Sequence, residues 1–349
     1  MQCFNTQYLI DIVIRTDQYA NLTPLTLKTL QDKHMTPIHI ALAVLVTFIW
    51  GVNFTFIAWA LESFPPLMLT ALRFFFTAVP LVLFLKPPKF NRTLFIYAIG
   101  TFVMQYAFVF TAMHLGASAG LTALLLQVQI FITVLLAYVM LGEAVSRMQI
   151  IGMLVGVLGL GVIALNLGGD MPLVGFICIL IAAIGWSFGN IASKQASTQQ
   201  SIGNVSTTSP ANSNKASNKT SALSALSLVV WGGLIACVVL TLSSLLFENE
   251  AWTLATFTQA SFKSWLSLGF IVYVSTLIGF GLWAHLLSQN IASKVMPFAL
   301  LVPVFGMATS VLFIGEVVTW WKMLAMVLIL SGLVLANVKI GLGRKSAHA

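Results

Sequence analysis

Residues 119–143 read AGLTALLLQVQIFITVLLAYVMLGE, and from Ala119 to Met140 they contain no charge and few polar groups beyond Thr122, Gln127, Gln129 and Thr133. One crossing of the hydrocarbon core takes about 20 apolar residues. Inside hydrocarbon every N–H and C=O must find its partner within the segment, so a run of this length is a helix. Runs of the same kind lie at 38–60, 67–85, 93–113, 148–166, 172–192, 222–246, 265–288, 296–314 and 320–340, ten in all. The expected fold is therefore an all-α polytopic membrane protein. The composition agrees, with 59% hydrophobic and 7% charged residues among 349, against about a quarter charged in a soluble domain. A soluble globule is excluded. The net charge of +8 would suggest nucleic acid in a soluble protein. Here it tracks orientation: with the N-terminus cytoplasmic, fourteen of the 17 Lys and Arg fall inside, Lys263 and Lys322 outside, and Arg73 within a helix. That sorting places both termini in the cytoplasm and makes membrane lipid, not nucleic acid, the expected partner. Nothing in the pattern specifies an oligomeric state.

The end of the quoted stretch, Leu141-Gly142-Glu143, returns as Ile314-Gly315-Glu316, and Gly159 returns as Gly332; each pair is 173 residues apart. Trp50-Gly51-Val52-Asn53-Phe54 is echoed by Trp186-Ser187-Phe188-Gly189-Asn190. The units are thus helices 1–5 and 6–10, and because each has an odd number of crossings the second lies upside down relative to the first. Two inverted five-helix repeats with a site between them are an arrangement used for alternating access. Residues 35–192 hold the first repeat and helix 6, and residues 222–340 the rest of the second. Residues 1–34 read as an N-terminal extension without a cleavable signal, Met35 opening the segment that runs into helix 1. Residues 193–221, rich in Ser, Thr, Asn, Gln and Lys, read as a flexible cytoplasmic linker, and 341–349 as a basic cytoplasmic tail.

Polar side chains at depth are costly unless they face a cavity or a partner. Arg73 stands alone in the otherwise apolar run 67–85, about 9 Å along the helix at 1.5 Å per residue. Two roles are open to it: a forked donor for a substrate carboxylate, or an anchor that snorkels to the interface or pairs with helix carbonyls. Asn53, Gln105, Gln127, Gln129 and Asn190 are amides at similar depth. Gln127 and Gln129, two residues apart, point to different helix faces, so at most one faces a cavity and the other bonds a neighbouring helix. Trp50 and Trp186 are candidate walls, together with Trp283, Tyr106 and Tyr273, whereas Trp320-Trp321 suits the headgroup belt. The candidate substrate-binding set is Arg73, Asn53, Gln127, Gln129, Asn190, Trp50 and Trp186. Gly152, Gly156, Gly159 and Gly161 mark a small-residue face for close helix contact.

The chain has no HExxH, P-loop lysine or GxSxG motif, its five histidines are scattered, and Cys3, Cys178 and Cys237 form no CxxC pair. No catalytic residue, metal or cofactor is expected, and an intramembrane enzyme is poorly supported. Glu62, Glu143, Asp170, Glu248, Glu250 and Glu316 all fall at helix ends or in loops, so no carboxylate proton relay is visible.

Several motifs occur in order: Trp50-Gly51-Val52-Asn53-Phe54, Pro65-Pro66-Leu67-Met68-Leu69 leading to Leu72-Arg73-Phe74, Leu126-Gln127-Val128-Gln129, Gly142-Glu143, and Leu300-Leu301-Val302-Pro303-Val304. Together they resemble EamA-type carriers of the drug/metabolite transporter superfamily over about residues 35–339. The resemblance implies ten helices in two inverted repeats, in a bacterial inner membrane. It also implies export of small amino acids and related metabolites of the cysteine or O-acetylserine kind. Two departures are the 34-residue extension and the lengthened linker. Alternatives are a carrier of the same superfamily for other cargo, such as drugs or nucleotide derivatives, and a non-transporting scaffold or sensor.

Overall fold

In the computed structural model, residues 35–85, 87–88, 90–205, 214–290 and 292–337 are described. Among these the backbone is helical apart from turns and one isolated bridge between Gly168 and Met171. Ten helices fill the bundle: α1 Pro37–Ala60, α2 Pro66–Val82, α3 Arg92–His114, α4 Ala119–Leu141, α5 Arg147–Ala164, α6 Leu173–Val205, α7 Asn214–Phe247, α8 Phe262–Leu287, α9 Met296–Ile314 and α10 Trp320–Asn337. Nine are long and apolar enough to cross a membrane, and α2 is the shorter tenth. The expected boundaries fall within a few residues of these, save at the linker. There α6 continues to Val205 and α7 begins at Asn214, because Ala, Gln, Lys and Ser carry no strong helix penalty and turns beyond the apolar core can be solvated. The rest of the linker, 206–213, lies outside the described residues, as do the extension at 1–34 and the basic tail at 341–349.

Local chemistry sets the ends. Ser146 and Gln149 form a reciprocal capping box at α5. Gly142 and Gly315, at φ 67° and φ 80°, terminate α4 and α9 in the left-handed conformation that glycine adopts without strain. Their own N–H groups bond back to Tyr138 O and Val311 O at 3.2 Å, the 5→1 closure of the αL motif. The repeated Leu/Ile-Gly-Glu signature is thus a helix stop used twice.

The repeat is visible in the packing. Gly159 of α5 lies against Ile329 of α10, where an added Cβ would sit 2.7 Å from Ile329 Cγ1; Gly332 of α10 lies against Gly156, 2.8 Å from its N. Gly159 and Gly332 are 173 residues apart, and so are Gly156 and Ile329, so the α5–α10 crossing maps onto itself when the repeats are exchanged. On the other side of the bundle, Gly51 of α1 approaches Val302 O of α9 and Ser187 of α6 donates to Gln129 O of α4 at 2.9 Å; Gln129 and Val302 are again 173 apart. Helix irregularities recur as well. α3 is π-helical over Ala98–Met104 and α8 over Phe270–Ile278. α4 has a 3-10 turn at Leu126–Val128 and α9 one at Met296–Leu300. Interrupted helices at corresponding positions of inverted halves point to a site between them.

Candidate functional site

Three of the interrupted helices, α3, α4 and α8, help to line a small cavity. Trp50, Asn53, Phe54 and Ile57 of α1, Arg73 of α2, Gln105, Tyr106 and Val109 of α3, Leu126 of α4, and Ser275 and Phe280 of α8 line it. Its volume is ≈ 20 Å³, enough for about one water and far less than any metabolite occupies. The walls lie close together around it.

Arg73 dominates the electrostatics. It is 2% exposed, its Nη2 donates to Thr276 Oγ1 at 3.0 Å, and its Cζ lies 4.0 Å from the centre of the Tyr106 ring, within cation–π range. Nε and Nη1 have no hydrogen-bond partner. The ion pairs among the described residues are Lys194–Glu143, Lys263–Glu62 and Lys322–Asp170, so no carboxylate of those residues neutralises it. A buried donor left unmatched costs about 1–3 kcal/mol. Asn53 Oδ1, on the same wall, also lacks a partner. Trp50 closes one side, with Nε1 donating to Ser275 O at 3.1 Å and the ring packed on Phe280 and Trp283.

Three of the seven candidates, Arg73, Asn53 and Trp50, thus share the cavity. The other four do not line it, and two of them, Gln129 and Asn190, meet between α4 and α6. Asn190 Nδ2 donates to Gln129 Oε1 at 3.0 Å and to Thr133 Oγ1 at 3.2 Å, so of the neighbouring glutamines it is Gln129 that bonds the next helix. Gln127 and Trp186 are each 1% exposed, and Gln127 Nε2 and Trp186 Nε1 lack partners. Gln105 and Tyr106 complete the wall from α3. Ser275 and Thr276 of α8 were not singled out in the sequence, where the only signal is a pair of hydroxyls inside an apolar run.

Acidic residues fasten the face where α2, α4 and α10 begin. Pro65 offers α2 no side-chain cap, and Glu248 fills the role, accepting from Leu67 N at 2.9 Å and Met68 N at 2.8 Å. Glu316 accepts from Ala119 N at 2.6 Å and Gly120 N at 3.2 Å at the start of α4. Both exploit the exposed donors and positive dipole end of a helix. Lys322 Nζ reaches Asp170 at 2.5 Å. On the other face Lys194 pairs with Glu143 and His39 Nδ1 lies 3.0 Å from Asn290 Oδ1. Among the described residues no cluster of three or more His, Cys, Asp or Glu could hold a metal.

Comparison with known proteins agrees with this architecture. The chain matches the EamA-like transporter family over residues 37–165 and 213–338. It is 34% identical over 296 residues to the "Probable amino-acid metabolite efflux pump" of Escherichia coli (strain K12), covering 84% of this chain and 92% of that one. The protein of the same name from Salmonella typhimurium is equally similar, 34% over 296 residues with the same coverage. The "Uncharacterized transporter YoaV" of Bacillus subtilis (strain 168) is 27% identical over 303 residues, 82% of this chain and 92% of the relative. A crystal structure with 18% identity superposes at a TM-score of 0.53, covering 88% of this chain and 98% of the other, and shares the fold. A multi-pass helical bundle with a repeated, interrupted core and two matched halves leads to one conclusion: the chain belongs to the EamA-like transporter family.

Proposed function

We propose that this protein is an inner-membrane secondary exporter of small amino acids and related metabolites, working by alternating access with both termini in the cytoplasm. The carrying observation is Arg73, buried, without a carboxylate partner and with two unmatched nitrogens on the wall of a central cavity. A guanidinium fork matches a carboxylate bidentately, and Asn53 Oδ1 on the same wall is an acceptor suited to an ammonium group. The lone cation disfavours cationic drugs. Relatives named as amino-acid metabolite efflux pumps support the same cargo, and the Lys/Arg sorting supports the orientation. Because the closed cavity cannot hold a metabolite, loading requires the walls to part, and the inverted repeat supplies two related closures between which they can move. Gln129 and Asn190 belong in this reading to the α4–α6 surface that shifts against the site.

The test is counterflow of radiolabelled O-acetyl-L-serine and L-cysteine in proteoliposomes, with Arg73→Ala and Arg73→Lys at matched abundance. Exchange by the wild type, loss with alanine and partial recovery with lysine are expected, since an ammonium keeps the charge and loses the fork. Full exchange with alanine would refute the proposed site.

A further inference from the structure

The helix that closes the cavity, α8, is fastened by side chains of the opposite repeat. Its Phe270–Ile278 segment is π-helical, a form that is rare and concentrated at functional sites. The Thr276 hydroxyl donates to Ile271 O, five residues back, at 2.7 Å, and the same oxygen accepts from Arg73 Nη2 at 3.0 Å. One residue earlier, Ser275 O accepts from Trp50 Nε1, and a Cβ added at Gly279, just past the segment, would lie 2.7 Å from Trp50 Nε1. Thr276 and Ser275 are 2% and 3% exposed. One hydroxyl thus links the π-helical carbonyl ladder of α8 to the cation of α2. Both two-pronged faces of a guanidinium, Nε with Nη2 and Nη1 with Nη2, include Nη2. Nη2 carries two hydrogens, one on each face, so the hydrogen given to Thr276 occupies one face and leaves the other for a carboxylate bound bidentately through the same nitrogen.

We propose that Thr276 is a positioning residue of the transport site. It ties Arg73 to the π-helical turn of α8, so that a carboxylate held on the free face of Arg73 draws the guanidinium away from Thr276 and frees that turn to rewind. This rests on the reading of Arg73 as the carboxylate site. The device needs no titratable group, and it explains why an unusual helix geometry sits beside the one deep charge. Substrate binding and rearrangement of α8 become a single event, and Thr276 carries the connection.

The experiment is hydrogen–deuterium exchange over residues 270–278 of the purified protein, with and without O-acetyl-L-serine. It is paired with ligand affinity from thermal shift and with counterflow rates, for wild type, Thr276→Val, Thr276→Ser and Arg73→Ala. In the wild type the ligand is expected to raise exchange across 270–278. Valine, which keeps the shape and loses the hydroxyl, is expected to hold affinity within about threefold while turnover falls about tenfold, one hydrogen bond's worth of coupling. Exchange in that variant becomes indifferent to ligand, and serine restores the wild-type pattern. Parallel loss of affinity and turnover in Thr276→Val, or wild-type turnover in it, overturns the proposal. So does wild-type exchange over 270–278 that ignores a ligand whose binding requires Arg73, an outcome that leaves the carboxylate site standing. If Arg73→Ala binds O-acetyl-L-serine as the wild type does, or the wild type shows no Arg73-dependent response to it, the carboxylate reading falls and takes this proposal with it.

Discussion

Replacing Arg73 with methionine separates a substrate site from a structural anchor more sharply than alanine does, because methionine refills most of the volume. In the closed state Arg73 has one hydrogen bond, to Thr276, and one aromatic face, from Tyr106, while Nε and Nη1 go unmatched. Two unmatched buried donors cost about 2–6 kcal/mol. A charged hydrogen bond of about 1.5–3 kcal/mol and a desolvated cation–π contact of about 2 kcal/mol offset much of that. These terms nearly cancel, so the arginine adds little net stability. Arg73→Met is therefore expected to unfold at about the same temperature as the wild type. Its affinity for a carboxylate ligand should drop by about 10²–10⁴, the value of two charge-assisted hydrogen bonds. Thermal unfolding in detergent and counterflow in proteoliposomes, measured on the same preparation, check both halves. A variant that unfolds well below the wild type, or one that still transports, would refute the argument, since the first outcome marks an anchor and the second a bystander.

Three further expectations follow from particular contacts. Gly152→Ala places a methyl group against Gly332 O and Ala336 N at the α5–α10 crossing and should destabilise by about 1–3 kcal/mol, whereas Gly161→Ala on the same helix meets nothing within 4 Å and should gain up to about 1 kcal/mol from helix propensity; equal melting temperatures would contradict this. Tyr106→Phe keeps the ring under Arg73 and should retain most affinity in ligand thermal shift, while Tyr106→Leu should weaken it about five- to thirtyfold, the value of about 1–2 kcal/mol of cation–π attraction; indistinguishable variants would remove Tyr106 from the site. Glu316→Ala strips the acceptor from Ala119 N and Gly120 N, about 1–2 kcal/mol of closure on that face. Maleimide labelling of a single cysteine at Thr122, buried beneath that cap, should then rise, and unchanged labelling would show that Glu316 does not hold the face shut.

The ten helices were legible in the sequence because bilayer thickness fixes the length of an apolar run, and no tertiary contact is needed to read it. The repeat was legible from Gly142-Glu143 and Gly315-Glu316, since a left-handed helix stop demands glycine and so leaves a mark in the sequence. The depth of Arg73 was legible for a related reason: a lone cation inside an apolar run stands out, and the side chain is 2% exposed. What one sequence does not carry is rotation about each helix axis. Gln127 and Gln129 were expected to differ in partner, and Gln129 bonds Asn190, yet which helix stood opposite could not be read. Thr276 left no signal, because a threonine in a helix ordinarily bonds its own backbone, and only the packing of α2 against α8 gives its oxygen a second role. The π-helical turns of α3 and α8 were equally silent. Glu248 looked like a loop acid because its role arises from a deficit elsewhere, the Pro65-Pro66 start of α2 that has no cap of its own.

The frame is symmetric and the site is not, and that difference bears on how binding can drive movement. Exchange of the two repeats maps α5 onto α10, and the π-helical turn of α3 onto that of α8. The charge, however, is confined to the first repeat: α2 holds Arg73, while its counterpart α7 has no charged residue from Ser227 to Phe247 and presents Gly232 and Gly233 to Phe102 and Phe74. Arg73 touches both interrupted helices, Tyr106 of α3 through its ring and Thr276 of α8 through its hydroxyl. In a transition that swaps the conformations of the repeats, α3 and α8 exchange roles and Arg73 stays on α2, so its surroundings differ between the two closures. A ligand shifts a two-state equilibrium only by its difference in affinity for the two states. A carboxylate bound at Arg73 as proposed would have such a difference built in, whereas one held by symmetric contacts from both repeats would bind either closure equally and move nothing.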